Sequence, residues 1–232
     1  MKKIYLLILI AFILSSCGKE KVILLPEIEN ADITIVRDVS HAYLFYDETQ
    51  ENGVELNRKN LIGTTNWLIN VDKRLTLAQA IPKIKFLQDK KRNAKMHKNE
   101  AAKNYYTCND TSIKNLGFLE FTDVVYQEEF YDSYFKKNSN KTDYRDYIYI
   151  KFYHNTNVEI VDLSGEASTF ELELNELSEY LISFNKRGED YKTYLNLNFT
   201  KDLSFQNYIK IKSIISKLDL VNIYIDNNEF IY

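Results

Sequence analysis

The chain has 232 residues, of which 45% are hydrophobic and 27% are charged, so its composition suits a globular protein with a packed core. Six Gly and two Pro exclude collagen-like and Gly/Pro-rich linker sequences. The formal charge of −3 argues against a general nucleic-acid-binding protein, which would carry a basic excess. Two Cys exclude a disulfide-dense mini-protein and a Cys-rich zinc module.

The N-terminal residues have the pattern of a secretory signal. Lys2 and Lys3 precede an unbroken apolar run over Ile4–Leu14. At ~1.5 Å per residue such a run covers roughly 16 Å of helix, about half the thickness of a hydrocarbon core. A basic segment followed by a short apolar run is typical of a cleaved signal peptide rather than of a membrane-spanning helix. An uncleaved N-terminal anchor is the alternative.

The end of this run, Leu14-Ser15-Ser16-Cys17, resembles the lipobox of bacterial lipoproteins: an apolar residue, two small residues and then Cys. The resemblance implies cleavage between Ser16 and Cys17 and attachment of lipid to Cys17. Several acyl chains, at ~0.8 kcal/mol per buried CH₂, would hold the protein permanently on a bilayer. Because no Asp follows Cys17 directly, the family's sorting rules favour the outer membrane. The resemblance therefore implies a lipid-anchored protein of the bacterial cell envelope.

The rest of the chain is expected to form an α+β fold of two small related lobes, each with the order hairpin, strand, amphipathic helix, strand. The predicted divisions are a signal peptide over 1–16, a lipidated tether over 17–30, a first lobe over 31–125, a helix and linker over 126–145 and a second lobe over 146–232.

The first lobe begins with a predicted hairpin. Ala42–Asp47 alternates in a strand-like way, and Asn52-Gly53 marks a tight turn before a returning strand over Val54–Asn57. A further strand is expected over Thr65–Val71. The pattern Thr-x-x-Gln from Thr76 then predicts a capped helix.

The apolar stripe of this helix recurs at helical spacing and comprises Leu77, Ile81, Ile84 and Leu87. Pro82 predicts a bend or a slightly later helix start. A further helix is expected over Glu128–Lys137, and a mobile linker over Lys136–Lys141.

The same order is predicted near the C-terminus. Phe170–Asn175 and Tyr180–Asn185 are strand candidates, and Tyr194–Phe199 alternates again. Ser204 is expected to cap a helix with the apolar stripe Tyr208, Ile211, Ile215 and Leu218. A closing hairpin is predicted from Val221–Ile225 and Glu229–Tyr232, with its turn at Asp226-Asn227-Asn228.

The two predicted lobes share a short internal repeat. When Ile69–Ile81 is placed on Leu197–Ile209, nine of thirteen positions are identical or similar in kind, including Asn70 with Asn198. We interpret this match as two copies of one unit. A chance likeness between any two strand–helix junctions is the alternative.

The repeated junction also resembles the periplasmic domain of ExbD/TolR biopolymer-transport proteins, over Leu68–Thr76 and Tyr194–Ser204. The resemblance implies an envelope fold used for docking on peptides, cell wall or partner proteins. Family members function through a retained transmembrane helix with a protonatable Asp. The apolar run at the N-terminus here contains no acidic residue, so no proton-conducting role is carried over.

Few motifs for catalysis are present. The chain has no Gly-rich phosphate loop, GxSxG, HExxH or CxxC, and His41, His97 and His154 lie far apart. No catalytic residue, metal or cofactor is therefore predicted. Cys108 is interpreted as a buried small hydrophobe, with a nucleophile or an intermolecular partner as alternatives.

Two clusters are candidates for interaction. A basic group would present a ridge for anionic headgroups or an acidic partner, or would simply be solvated; it comprises Lys90, Lys91, Arg92, Lys95 and Lys98. On a predicted strand over Tyr147–His154, one face carries Tyr147, Tyr149 and Tyr153. These tyrosines are core if that face is covered, and a recognition surface if it is open.

These patterns favour a membrane-anchored, non-catalytic interaction or scaffolding module of the cell envelope. Its expected partners are the membrane, through lipid on Cys17, and envelope proteins or cell wall, but not nucleic acid. Two alternatives stay open: a lipid-anchored enzyme with a dispersed acid/His site, and a small-ligand binder in an interlobe cleft.

Overall fold

A computed structural model of the chain describes residues 21–94, 99–138, 147–153, 157–163, 166–185 and 193–232. These ranges contain two six-stranded sheets and four helices, a mixed content that is compatible with the expected α+β class. The strands are β1 (Glu27–Ile28), β2 (Val39–Tyr46), β3 (Val54–Asn57), β4 (Asn66–Val71), β5 (Asn104–Asp110), β6 (Asn115–Glu120), β7 (Val125–Gln127), β8 (Tyr147–Phe152), β9 (Asn157–Asp162), β10 (Ser168–Glu173), β11 (Thr193–Phe199) and β12 (Ile223–Ile231). The helices are α1 (Leu77–Arg92), α2 (Tyr131–Asn138), α3 (Leu177–Asn185) and α4 (Phe205–Ser216).

The first sheet has the strand order β3-β2-β4-β5, with β6 paired to β5. Strands β2, β4 and β5 are parallel, whereas β3 and β6 run antiparallel to their neighbours. One edge of β5 is shared: residues 104–106 pair with β4, and residues 109–110 pair with β1. The N-terminal strand thus enters the sheet where β4 ends.

The second sheet has the order β10-β9-β8-β11-β12-β7. Strands β8, β11, β12 and β7 are parallel, and β9 and β10 alternate in direction beside them. The series β9-β8-β11-β12 therefore has the same strand directions as β3-β2-β4-β5 in the first sheet, but β10 and α3 lie between β9 and β11, where a loop connects β3 to β4. In each series a helix, α4 or α1, connects the last two strands.

One hydrophobic cluster runs through both sheets and both crossover helices. Helix α1 contributes the predicted stripe, since Leu77, Ile81, Ile84 and Leu87 are all buried. Helix α4 contributes Tyr208, Ile211 and Ile215 in the same way, together with Phe205 and Ile209. The apolar periodicity predicted these buried faces because each helix packs one side against a sheet.

The predicted hairpin and helix caps are confirmed, but a longer loop over residues 47–53 replaces the tight turn expected at Asn52-Gly53. Gly53 has a φ of 65°, and the hairpin closes with Asp47 N donating to Gly53 O at 2.9 Å. Helix α1 begins directly after Thr76, whose N–H donates to the Gln79 side chain at 2.9 Å. Ser204 Oγ accepts from the backbone N–H of Asn207 at 3.3 Å. Pro82 lies inside α1, and the helix start is not delayed.

The strand predicted over Tyr180–Asn185 is wrong, because this segment belongs to helix α3. Leu177 and Leu181, four residues apart, are both fully buried in the core cluster. Helical spacing of these two leucines outweighs the local preference for a strand.

The predicted closing hairpin is also wrong. Residues 223–231 form a single strand, β12, between β11 and β7. Leu195 pairs with Ile225 and Leu197 with Glu229, so two steps along β11 correspond to four along β12. The residues expected to turn therefore form a bulge, because both neighbours of β12 are parallel to it and require the chain to continue.

The predicted helix and linker differ in their bounds. Helix α2 begins at Tyr131, three residues later than expected, and residues 128–130 connect it to β7. Residues 136–138 of the expected linker belong to this helix, and residues 139–141 lie outside the described residues.

The segment expected to be a tether over 17–30 is packed from residue 21 onward. Leu24 donates its N–H to Asp72 Oδ2 at 3.2 Å, and its carbonyl accepts from Lys73 N at 2.7 Å. Glu27 exchanges two hydrogen bonds with the Gln206 side chain, at 2.8 and 2.9 Å. These backbone contacts order the segment even though its sequence lacks a regular period. Within the described residues, no helix combines the length and apolar character needed to cross a bilayer.

Candidate functional site

The site lies on the face of the second sheet that points away from the main core. Alternation along β8 buries Ile148, Ile150 and Phe152 in the core cluster. Tyr147 and Tyr149 therefore point to the opposite face, as the sequence predicted. This outer face belongs to a separate, smaller cluster with Phe230 of β12.

Helix α2 covers part of this outer face. The ring of Tyr131 lies 4.2 Å from the ring of Tyr149 and 5.1 Å from that of Phe230. Tyr149 Oη also donates to Tyr131 Oη at 2.8 Å. Tyr149 is thus a packing residue beneath α2 as well as part of the wall of the space beside it.

Beside α2 the same face forms a cavity of about 590 Å³, which we call the tyrosine cavity. Five aromatic side chains, two aliphatic ones and five polar or charged ones line it. They are Phe130, Tyr131, Tyr149, Tyr153 and Tyr232; Val161 and Leu163; and Asp132, Lys136, Lys151, Glu159 and Asn198. Two of the three tyrosines singled out in the sequence, Tyr149 and Tyr153, are in this set.

The floor of the tyrosine cavity carries a row of polar side chains across neighbouring strands. Strand register places Glu171 beside Glu159, Glu159 beside Lys151, and Lys151 beside Asn198. Lys151 Nζ lies 2.5 Å from Glu159 Oε1, an ion pair between β8 and β9. The row therefore contains cationic, anionic and amide side chains next to one another.

At one end of this row, Tyr153 Oη donates to Glu171 Oε1 at 3.0 Å. Burial, and secondly this hydrogen bond, raise the pKa of Tyr153 to about 12. The phenol is therefore protonated at neutral pH and acts as a hydrogen-bond donor there.

Two buried amides lie at the other end of the row, on β11. Asn198 is 4% exposed, and its Nδ2 makes a long contact of 3.4 Å with the carbonyl of Asn196. Asn196 is fully buried, and among the described residues neither its Oδ1 nor its Nδ2 has a hydrogen-bond partner. Such groups in a protein interior call for an explanation, since leaving one unpaired costs about 1–3 kcal/mol.

A smaller cavity of about 240 Å³ lies between α1 and the end of β12. Its lining is Leu77, Ala78, Ile81, Pro82, Glu128, Lys201, Ile231 and Tyr232. This is the cleft between the two sheets that the sequence raised as a ligand site. It is below the ~300 Å³ at which small-molecule pockets usually begin.

Of the predicted basic ridge, the structure describes Lys90, Lys91 and Arg92, and Lys91 does not point to solvent. Lys91 Nζ instead turns inward, 2.9 Å from Asn104 Oδ1 and 3.0 Å from the carbonyl of Lys103. Its ammonium also lies 5.0 Å from the centre of the Trp67 ring. Burial lowers the pKa of Lys91 to about 8. Arg92 donates to the carbonyl of Val124 at 3.0 Å.

Lys90 remains exposed on the helix, while Lys95 and Lys98 lie outside the described residues. His97, His154, Ser16 and Cys17 also lie outside them. His41 is on β2, where its ring stacks on Tyr43 at 6.2 Å. Among the described residues, no three His, Cys, Asp or Glu side chains are close enough to hold a metal ion.

A buried chain of hydroxyl groups connects the two sheets, and sequence reasoning did not find it. The hydroxyls of Tyr106 and Tyr126 lie 2.5 Å apart, and those of Tyr126 and Tyr208 lie 3.0 Å apart. Tyr208 donates to Glu229 Oε2 at 2.7 Å, and Lys212 forms an ion pair with the same carboxylate. Glu229 is only 1% exposed, so this network satisfies a buried charge.

Sequence reasoning also missed Lys151, Glu159 and Asn198 as site residues. A usable signal was present, because Lys151 interrupts the tyrosine face between Tyr149 and Tyr153. The sequence around Glu159 gives no such signal, because only the β8–β9 register places this residue beside Lys151. Comparison of the chain with protein-family models, with curated proteins and with solved structures finds no match.

Proposed function

We propose that this chain is a lipid-anchored protein of a bacterial cell envelope that binds a ligand in the tyrosine cavity without transforming it. The lipobox-like residues before Cys17 support the anchor, which would lie at the outer membrane. The part that binds would be the folded body from residue 21 onward.

The tyrosine cavity is the observation that carries the binding function. Its volume of about 590 Å³ is within the ~300–1,000 Å³ of typical ligand pockets. Aromatic walls with a few polar groups on one floor also match the usual composition of such pockets. Tyr149 and Tyr153 would contribute contact area at low entropic cost, because a tyrosine side chain has few rotatable bonds.

The ionisable groups of the cavity suit binding better than catalysis. Lys151 and Glu159 neutralise each other, and Tyr153 keeps its proton at neutral pH. A general base would instead need an acceptor free to take a proton from the substrate near neutral pH. The function supported best is therefore that of a non-catalytic interaction module.

The body of this module is inferred to be two related lobes, each built from a hairpin, a strand, a helix and a final strand. The equal strand directions of β3-β2-β4-β5 and β9-β8-β11-β12 support this inference. So do the buried amides Asn70 and Asn198, which occupy equivalent positions on β4 and β11. One lobe would carry the tyrosine cavity, and the other would connect it to the anchored N-terminal segment.

The anchor is tested by comparing the wild type with Cys17→Ser in the native host. Mass spectrometry of the wild type should find an N-terminal acylated Cys17, and the variant should keep its residues 1–16. Normal maturation of Cys17→Ser would contradict the lipid anchor.

The binding site is tested with a library of small-molecule fragments, measured by ligand-observed NMR on the full-length chain in detergent. Val161→Trp places an indole in the cavity and should abolish binding of the fragments that the wild type binds. Val221→Trp adds the same ring at an exposed position outside the cavity, where Val221 is 68% exposed, and should leave binding unchanged. Fragment binding that survives in Val161→Trp would contradict the proposed site.

A further inference from the structure

The charge balance of the tyrosine cavity indicates what kind of ligand it takes. Its cationic lining residues are Lys136 and Lys151, and its anionic lining residues are Asp132 and Glu159. The central pair, Lys151 and Glu159, is already joined at 2.5 Å. A ligand with a net charge that took a partner from this pair would leave the other half of it uncompensated, and the remaining lining charges, Lys136 and Asp132, also balance. The cavity therefore favours a ligand without net charge.

The polar floor argues equally against a purely apolar ligand. A lipid chain or another hydrocarbon would displace water from Lys151, Glu159 and the amide of Asn198. It would form no hydrogen bonds with these side chains in place of the water. Polar groups that lose water without gaining a new partner make such binding unfavourable. The ligand must therefore offer many donors and acceptors of its own.

The position of the cavity in the fold argues against an extended peptide. Peptides that bind sheets add a strand at an open edge, where backbone groups are unpaired. The floor strands β8, β9 and β11 each have neighbours on both sides. Recognition in this cavity is therefore limited to side chains above the face of the sheet.

From this geometry we infer that the tyrosine cavity binds a short neutral oligosaccharide, an inference that rests on the proposed binding function. A pyranose ring has an apolar C–H face, which would pack on the electron-rich faces of rings such as Tyr149, Phe130 and Tyr232. Its hydroxyl groups both donate and accept. Lys151 donates, Glu159 accepts and Asn198 does both, so the floor supplies each kind of partner without net charge.

A further buried amide, Asn196, lies next to this end of the floor. It lies beside Tyr149 in the strand register and two residues before Asn198 on the same face of β11. Both atoms of its amide are buried without a partner among the described residues. Asn196 is not among the side chains that line the cavity, so a bound ligand would contact Asn198 rather than this amide.

The inference is tested by calorimetric titration of the full-length chain in a detergent that has no sugar headgroup. The neutral probes are maltotriose, cellotriose and triacetylchitotriose, and trigalacturonate is their charged counterpart. We expect at least one neutral probe to bind, with an affinity that is the same at low and high salt, because no net charge is involved. Trigalacturonate should not bind.

A double variant, Lys151→Met with Glu159→Met, keeps the side-chain volume and removes the polar pair. It should weaken binding of the neutral probe by about tenfold or more, since charge-assisted hydrogen bonds are lost. Its matched control is Lys103→Met with Glu120→Met, which removes an ion pair of 2.8 Å beside β5 and should change nothing. Glu159→Gln, which retains a hydrogen-bonding side chain, provides a second variant if the double variant does not fold, and it should weaken binding less.

The outcomes separate this inference from the proposed function. If fragments bind in the cavity but no neutral probe does, the oligosaccharide inference is overturned and the binding function stands. Binding of trigalacturonate with strong salt dependence, or equal affinity in wild type and double variant, also overturns the inference. If neither fragments nor saccharides are affected by Val161→Trp, the proposed binding site itself is wrong.

Discussion

Thr76 and Ser204 face each other in an antiparallel backbone bridge at the point where α1 and α4 begin. Around them the hydrogen bonds are reciprocal: Leu77 N donates to Leu203 O at 2.9 Å. Phe205 N in turn donates to Leu75 O at 2.7 Å. The first N–H groups of a helix have no partner within the helix, and here each helix finds them in the loop before the other. The two halves of the chain are therefore joined through equivalent backbone groups.

Replacement of Ser204 by Ala should weaken this junction. The variant loses the side-chain acceptor for Asn207 N, so the free energy of unfolding should fall by about 1 kcal/mol, the usual effect of removing an N-cap. Urea titration followed by circular dichroism measures the change. Ser204→Asp retains an acceptor at this position and should be close to wild type. Equal losses in both variants would show that the cap is not the cause.

The buried hydroxyl chain should be most sensitive at its centre. Tyr126→Phe removes the hydroxyl between Tyr106 and Tyr208 and leaves two buried groups with one partner fewer. Unfolding should become easier by about 1–3 kcal/mol, because buried polar groups without partners are costly. Tyr194→Phe removes a hydroxyl from a side chain that is 40% exposed and should have an effect within about 0.5 kcal/mol. The same urea titration compares the two variants.

Local signals in the sequence predicted much of the fold. The positive φ at Gly53 and the cap at Thr76 depend on a few adjacent residues, because φ preference and capping act within one turn of chain. The bulge at residues 226–228 could not be predicted from adjacent residues alone. Asn-rich residues suit a turn as well as a bulge, and only the two parallel neighbours of β12 decide between them.

The candidate site was predictable only in part for the same reason. Alternation along β8 placed Tyr149 on the outer face, which is a property of any strand. The cavity itself requires α2 to lie across that face, and its polar row requires the register that brings Lys151 to Glu159. Lys91 was expected on a basic ridge, yet oxygen atoms of Lys103 and Asn104 bind its ammonium inside. Such contacts join residues on different elements, and the pattern of charges along the sequence does not predict them.

Lys91 should make the stability of the protein depend on alkaline pH. Burial lowers its pKa from the ordinary 10.5 to about 8, so between these values the unfolded chain binds more protons than the folded one. Lys91 should therefore contribute a rise in the free energy of unfolding as the pH increases from about 8 to 10. The buried thiol of Cys108 and the buried Tyr106 and Tyr208, whose pKa values burial raises, oppose this contribution because the unfolded chain loses their protons first.

Urea titrations of the wild type and of Lys91→Met at several pH values between 8 and 10 isolate this contribution. Lys91→Met has no titrating amine at this position, so the stability of the wild type relative to this variant should rise over the range. Lys90→Met alters the exposed neighbour on α1 and should keep the wild-type profile. A difference between wild type and Lys91→Met that is flat or falls between pH 8 and 10 would refute the assignment to Lys91.

The thiol of Cys108 should be unreactive in the folded protein and reactive after unfolding. Cys108 is fully buried, and burial together with the nearby Asp110 raises its thiol pKa, so little thiolate forms and no reagent reaches it. Iodoacetamide should label no thiol in the native protein, and in urea it should label Cys108.

The number of thiols labelled in urea also reports on Cys17: full-length wild type should yield one if Cys17 is acylated and two if it is free. Cys108→Ala then gives none in the first case and one in the second, so the two cysteines are assigned separately. Labelling of native Cys17→Ser at Cys108 would contradict the burial of this thiol.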